Sequence, residues 1–330
     1  MNRTISLLSI VLLVTEPGCL DPSADGNLVP PTVDDDPTLP RVALNGSVFH
    51  AETFGDPTAP VIVMLHGGPG NDYRELIRLR RPVDGVRLED RHFLVFWDQR
   101  GCGLSRRHDP GDVTNALYDA DLEALVDRFS PTRPVVFLGH SWGGMYATRF
   151  IAQHPDRVAG AVLMEPGPLT GALYETVKGG LASIDLGSKW LNDYTWAQQT
   201  VTPDGHARAD YLLMLGNLGN SQPGEHLSTT DPMGIWRLGA IAHSVIMNEN
   251  IVHGKAVWDF TQGLDRFRHP VLFEASELDE VLGVSLQKRQ MAAYPNAELT
   301  VIAGAGHDHP WTQPEETLRP ILSYLAAIGF

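Results

Sequence analysis

The chain reads as an α/β fold in which a mostly parallel central sheet is flanked by helices and a helical cap is inserted between two sheet strands. Three observations predict this. Apolar runs recur at Val61–Leu65, His92–Asp98, Val135–His140, Val158–Glu165 and Val271–Ser276. A strand with no polar face is buried on both sides, as in a parallel sheet. Helical periodicity fills several of the intervals, and alternation of strands with helices is the pattern of an α/β sheet. Between Pro166 and about Leu264 the alternation stops, and a tryptophan-rich helical stretch takes its place.

The opening residues, MNRTISLLSIVLLV, place one arginine before an apolar stretch from Ile5 to Val14. That stretch is too short to cross a bilayer and has the size of a signal-peptide core, so export to the periplasm or to a membrane-anchored state is the expectation. Cys19 follows Gly18 and resembles the lipobox of bacterial lipoproteins, although Glu16 and Pro17 depart from that pattern. Residues 1–19 are therefore read as a signal peptide or lipoprotein signal. The resemblance implies membrane attachment through a lipidated Cys19, with ordinary cleavage nearby or no processing as the alternatives. Residues 20–40, LDPSADGNLVPPTVDDDPTLP, hold too little large apolar surface to offset their ordering entropy and read as a disordered tether.

Residues 41–167 form the first part of the core. They begin with RVALNGSVFHAETFG, a hairpin with its turn at Asn45-Gly46, followed by the buried strands named above. Residues 168–263 form the cap, where Trp190, Trp196, Trp236 and Trp258 mainly serve packing while one or two line a pocket. Residues 264–330 complete the core. Leu318, Ile321, Leu322 and Leu325 recur at helical spacing, and Pro320 is expected close to the start of that helix.

A net charge of −15, from 40 acidic against 25 basic residues among 330, repels a phosphate backbone, so no nucleic-acid partner is expected. The densest basic cluster, Arg78, Arg80 and Arg81, reads as a solvated helix face. Two cysteines are present, so an internal disulfide would have to join Cys102 to Cys19. Cys102 reads as a small buried residue.

Chemistry enters at Gly139-His140-Ser141-Trp142-Gly143, a G-x-S-x-G match between a buried strand and a helix. This is the context a nucleophile elbow requires, with glycines where the strained turn leaves no room for side chains. His66-Gly67-Gly68-Pro69-Gly70 follows another strand, and its backbone can turn an N–H toward a developing oxyanion. The expected oxyanion hole pairs the N–H of Trp142 with that of Gly67 or Gly68. A serine hydroxyl needs a base, and the base needs an orienting carboxylate. Asp279 lies just past the strand VLFEAS, with Glu277, Glu280 and Glu165 as competing acids. His307 follows Gly306 in a later loop, with His309 as its rival.

In order, HGGPG, DQRGCGLS, GHSWGG, SELD and GAGH resemble an α/β-hydrolase of the proline iminopeptidase family. The likeness covers about Arg41 to Gly167 and about Leu264 to Phe330. It implies the α/β-hydrolase fold, with Ser141 as nucleophile, Asp279 as orienting acid, His307 as base and the HGGPG glycines in the oxyanion hole. Haloalkane dehalogenases and epoxide hydrolases carry an aspartate at the nucleophile position, so Ser141 argues against both reactions. No cofactor is expected. No metal is expected either: His307-Asp308-His309 lacks an HExxH motif or a second Cys/His cluster to complete a site.

The family's aminopeptidases hold the substrate's free amine with carboxylates, often near a Trp-Glu pair. Here Arg237 follows Trp236 in GIWRLGA, where it would repel an ammonium and attract a carboxylate unless it is simply a solvated cap residue. Glu165, Glu225 and Glu249 are the acids that could restore an anionic anchor. The expected substrate-binding set is thus Glu165, Trp236 and Arg237, for a small peptide or ester. The resemblance points to an aminopeptidase acting on short peptides through an acyl-enzyme. A carboxylesterase or lactonase on the same triad, and a non-catalytic surface lipoprotein that only binds, are the alternatives.

Overall fold

The computed structural model describes residues 29–180, 204–217 and 234–330. The leader with Cys19, together with Trp190, Trp196 and Glu225, lies outside the described residues. Strand β1 (Arg41–Leu44) turns into β2 (Ser47–Phe54) through Asn45 and Gly46. Both turn residues have positive φ, 43° and 72°, the backbone twist a tight hairpin favours. Strands β3 (Val61–Leu65) and β4 (Phe93–Trp97) follow, then helix α1 (Asn115–Phe129), β5 (Val135–His140), α2 (Trp142–Gln153) and β6 (Val158–Met164).

The cap leaves the core after β6. Its described parts are α3 (Gly171–Val177), α4 (Gly205–Asn217), α5 (Ala240–Glu249) and a small ribbon of β7 (Ile251–Val252) and β8 (Lys255–Ala256). The core resumes with β9 (Val271–Ser276), α6 (Val284–Gln290), β10 (Ala297–Ile302), α7 (His309–Thr312) and α8 (Pro314–Ala327). No described helix is long and apolar enough to cross a membrane.

The main sheet has the order β1-β2-β4-β3-β5-β6-β9-β10. The β1–β2 and β2–β4 pairs are antiparallel, and every pair from β4 to β10 is parallel. Successive residues of a strand face opposite sides. Val61, Val63 and Leu65 therefore join one core cluster while Ile62 and Met64 join the other. This double burial is why these strands read as unbroken apolar runs. The parallel register also aligns strand ends: Leu65 pairs Gly139, His140 pairs Met164, and Met164 pairs Glu274. The loops after β3, β5, β6, β9 and β10 consequently open on one edge of the sheet.

Two expectations need correction. The tether assigned to residues 20–40 is docked from residue 29 onward: Val33 is 0% exposed and donates its N–H to Leu104 O at 2.8 Å. The Arg41 guanidinium donates to Val33 O and Asp36 O, and Arg106 pairs with Asp34 at 2.8 Å. Composition alone missed one apolar anchor held by two arginines. Helix α8 begins at Pro314, well before Pro320, which sits inside it. An interior proline costs roughly 3 kcal/mol, and burial of Leu318, Ile321 and Leu325 offsets that cost.

Candidate active site

Ser141 sits at φ 52°, ψ −115°, between β5 and α2. A non-glycine residue held there is strained, and such strain persists only where its surroundings fix it. They do so here: Ser141 N–H donates to Met164 O at 3.0 Å, and its carbonyl accepts from Gly144 N at 3.1 Å and Gly167 N at 3.2 Å. The flanking glycines are sterically required. A Cβ on Gly139 would meet Gly143 O at 2.6 Å, and one on Gly143 would meet Leu65 O at 1.9 Å. Serine at a helix N-cap ordinarily bonds the first turn, yet the Ser141 hydroxyl makes no capping bond and is left for other use.

His307, beyond β10, reaches back to this edge. Its Nδ1 lies 3.0 Å from Glu165 Oε2 and 3.7 Å from Asp279 Oδ2. Its ring centroid is 4.7 Å from that of His140, the residue before Ser141. Burial alone would lower the His307 pKa, but the hydrogen bond and charge of Glu165, with lesser help from Asp308 and Asp279, raise it to about 10. His309 instead turns its Nδ1 to Thr317 Oγ1 at 2.9 Å, and burial pushes it down to about 3, as for a neutral packing residue.

Glu165 is wholly buried just past β6, with φ 47°. Its Oε1 accepts the N–H of Ser276 at 2.9 Å, and the Ser276 hydroxyl lies 2.6 Å from Oε1 and 2.8 Å from Oε2. Burial would raise its pKa, but His307, then His309 and Ser276, hold it down at about 2 from an ordinary 4.5. A depressed carboxylate adds stability that is fully present above its unfolded value and is lost as pH falls toward the folded one. The melting temperature of the wild type should therefore fall between pH 5 and pH 2. A smaller fall is expected in Glu165→Gln, as thermal melts across that range would show.

Glu165, Asp279 and His307 place donor atoms within 4.8 Å of one another. Several of these oxygens already accept hydrogen bonds from the protein. Asp279 Oδ1 accepts the N–H groups of Val281 at 2.7 Å and Leu282 at 2.9 Å, while Glu165 serves Ser276 and His307. The arrangement is a hydrogen-bonded relay, and we assign no metal to it.

The oxyanion side narrows a further expectation, the choice between Gly67 and Gly68. Gly67 N–H is taken by Glu75 Oε1 at 2.5 Å and cannot serve an oxyanion. The N–H groups of Gly68 and Trp142 remain. The Trp142 N–H is among the first of its helix, where no intrahelical partner exists. Gly68 has φ 110°, and a Cβ there would meet Gly70 N at 2.5 Å. Glu75 also accepts from Asn71 Nδ2 at 2.8 Å and pairs with His140 Nδ1 at 3.0 Å, while His140 Nε2 lies 2.9 Å from His307 O. One buried carboxylate thus braces both the HGGPG loop and, through His140, the His307 loop. Burial would raise the Glu75 pKa, but His140, with His66 and Asn71, holds it below the usual range.

Ser141 opens on a pocket of about 110 Å³ beneath the cap. Its walls are Gly68, Trp142, Met145, Gly167 and Pro168 from the core, Tyr174, Ile246, Met247, Asn250, Trp258 and Phe260 from the cap side, and Leu282 from the loop after β9. None of these described lining residues carries a charge.

A family model described as the alpha/beta hydrolase fold matches residues 60–314, most of the chain. The chain belongs to the α/β-hydrolase fold family. It is 27% identical over 282 residues to a bifunctional esterase/perhydrolase of Acinetobacter calcoaceticus, covering 84% of this chain and 95% of that one. It is 36% identical to a proline iminopeptidase of Xylella fastidiosa over 117 residues, about a third of each chain (35%). Among solved structures, a thermophilic esterase from Thermogutta terrifontis superposes with a TM-score of 0.59 at 20% identity, over 88% of this chain and 100% of that one.

In this α/β-hydrolase the predicted substrate residues are not where a ligand would meet them. Arg237 is 3% exposed, with Nε at 2.8 Å from Asp210 Oδ2 and Nη1 at 2.8 Å from Pro30 O. Arg107 shares the same Asp210 oxygen at 2.9 Å. Trp236 packs edge-on against Tyr73 and His50, and Asp72 Oδ2 accepts the N–H groups of Trp236 at 2.6 Å and Arg237 at 2.9 Å. Two buried aspartates therefore recruit this segment as the root of the cap and keep it out of the pocket. Glu165 faces His307, and Glu249 accepts the N–H of Asn115 at 2.6 Å. Sequence reasoning missed Glu75, Asp72 and Asp210, for which a chain with 40 acids offers no local signal.

Proposed function

We propose that this α/β-hydrolase is a carboxylic ester hydrolase whose substrate places an apolar, uncharged group in the pocket beneath the cap. The observation that carries this reading is the absence of charge among the described residues that line that pocket. An aminopeptidase needs an anion near the scissile bond to hold a free amine. Of the three acids the sequence offered, Glu165 and Glu249 are committed elsewhere and Glu225 lies outside the described residues. Desolvating an ammonium without a counter-charge costs several kcal/mol.

In this mechanism the Ser141 hydroxyl oxygen attacks the ester carbonyl as its proton passes to His307 Nε2. The charge on the carbonyl oxygen meets the N–H groups of Gly68 and Trp142. The imidazolium, its Nδ1–H turned to a carboxylate, gives the proton to the departing alkoxide, and an acyl-enzyme remains. Water then attacks as His307 takes its proton, and the imidazolium returns it to Ser141 Oγ as the acyl–oxygen bond breaks and the acid leaves.

Hydrolysis of p-nitrophenyl esters and of prolyl and other aminoacyl anilides tests the proposal. Turnover of short- and medium-chain esters with no need for a free amine is expected. Rapid turnover of the anilides with none of the esters would overturn it in favour of the peptidase reading.

A further inference from the structure

We propose that Glu165 at the end of β6, and not Asp279 in the loop after β9, is the carboxylate that orients His307. The inference rests on the reading of Ser141 and His307 as nucleophile and base. Distance is the first ground: 3.0 Å to Glu165 is a hydrogen bond, and 3.7 Å to Asp279 is not. Commitment is the second. Asp279 uses Oδ1 to cap the turn at Val281 and Leu282, which fixes the carboxylate for a local task. Glu165 is clamped by the Ser276 N–H at Oε1 and by the Ser276 hydroxyl, which reaches both carboxylate oxygens, while Oε2 also faces the imidazole.

Backbone placement is the third ground. Ser141 and Glu165 follow neighbouring strands of the sheet, and both hold positive φ, 52° and 47°. Non-glycine residues adopt that conformation at a cost of order 1–3 kcal/mol, and such residues cluster at active sites. The Glu165 N–H is pinned to Glu274 O at 2.8 Å, and the Met164 carbonyl before it accepts the Ser141 N–H. The two strained corners are thus joined by backbone hydrogen bonds, from Ser141 N to Met164 O and from Gly167 N to Ser141 O. Asp279 adds negative charge near the imidazolium without fixing its ring.

Glu165 is therefore a positioning residue, and the test separates positioning from mere folding. The charged groups around the His307 ring are Glu165, Asp279 and Asp308, with the His140 ring tilted against it and His309 nearby. Of these, only the change at Glu165 should remove the Nδ1 partner. In Glu165→Gln, kcat for p-nitrophenyl butyrate should fall roughly 10³–10⁴-fold with KM within a few-fold, as expected when a base is held in the wrong tautomer. The acid limb of its pH–rate profile should move to lower pH. Asp279→Asn should lose less than about 10-fold. Glu165→Asp, which keeps the charge on a shorter arm, should fall between them and covers the case of a Gln variant that does not fold.

Proton NMR of the unliganded protein supplies a readout that needs no turnover. The hydrogen-bonded Nδ1 proton of His307, identified by its loss in His307→Gln, should persist in Asp279→Asn and vanish in Glu165→Gln. The opposite NMR pattern, or a larger kcat loss in Asp279→Asn than in Glu165→Gln, overturns the assignment. Failure of the esterase reading would instead appear as absence of ester turnover in the wild type, with the NMR pattern still deciding which acid faces His307.

Discussion

Ser141→Ala should lower kcat for ester hydrolysis by roughly 10⁶-fold and abolish labelling by a fluorophosphonate, while leaving the fold intact. The size follows from the way the triad works as a unit: without the nucleophile, the base and its acid have nothing to activate, and only the oxyanion donors and binding still act. Stability should hold because the hydroxyl caps nothing. The backbone bonds that fix the corner, from Ser141 N to Met164 O and from Gly144 and Gly167 to Ser141 O, need no side chain. Single-turnover kinetics and mass spectrometry of the labelled protein check this, with circular dichroism as the folding control. Turnover within ten-fold of the wild type would remove Ser141 from the chemistry.

Glu75→Gln should also lower kcat, by less than Glu165→Gln, although Glu75 touches neither substrate nor nucleophile. The carboxylate accepts from Gly67 N, His140 Nδ1 and Asn71 Nδ2 at 2.5, 3.0 and 2.8 Å. A carboxamide offers one oxygen in place of two, so at least one buried donor is orphaned at a cost of about 1–3 kcal/mol. Gly67 and Gly68 are consecutive, and a shift of the first misaims the N–H of the second. Loss of one oxyanion donor costs about 10²–10³ in kcat, so a fall of roughly 10²-fold is expected with KM within a few-fold. Steady-state kinetics on p-nitrophenyl butyrate, beside a thermal melt, separate the two roles. A lower melting temperature with kcat unchanged would make Glu75 a structural brace alone.

The fold was legible because its strands are doubly buried. Val61–Leu65 and Val135–His140 have no polar face to be misread, and the turn at Asn45-Gly46 announces itself chemically. The elbow was legible for the same reason: a glycine is demanded at 139 and at 143 by backbone on the other side of the turn. The orienting acid was harder. Chain order favoured Asp279, which does arrive near His307, but strand register decides which carboxylate comes closest, and register depends on pairing that a single sequence does not display. The signal was nonetheless present in Glu165, which follows directly on an apolar strand bound for the sheet's centre.

Arg237 failed as a substrate residue because its fate was settled by distant partners. Asp210 is 27 residues away, and the Pro30 carbonyl is 207 away. Long-range ion pairs leave no periodicity to read. The docked segment around Val33 was hidden in the same way, since its partners Leu104 and Arg106 lie in another part of the chain.

The nearness of the two strained corners also bears on how the site is assembled. Ser141 and Glu165 are carried by one strand–helix–strand unit, β5-α2-β6, whose contacts are short in sequence. His307 comes to Glu165 across 142 residues, from beyond the cap and from the outermost strand of the sheet. Closing so long a loop is entropically demanding and tends to come late in folding. Before the last two strands join the sheet edge, the corner at Ser141 has its Met164 partner, but Glu165 lacks the Glu274 and Ser276 groups of β9 that fix it, and no base is present. The chain is thus chemically silent until its final segment docks, and arrival of the histidine is the step that arms it.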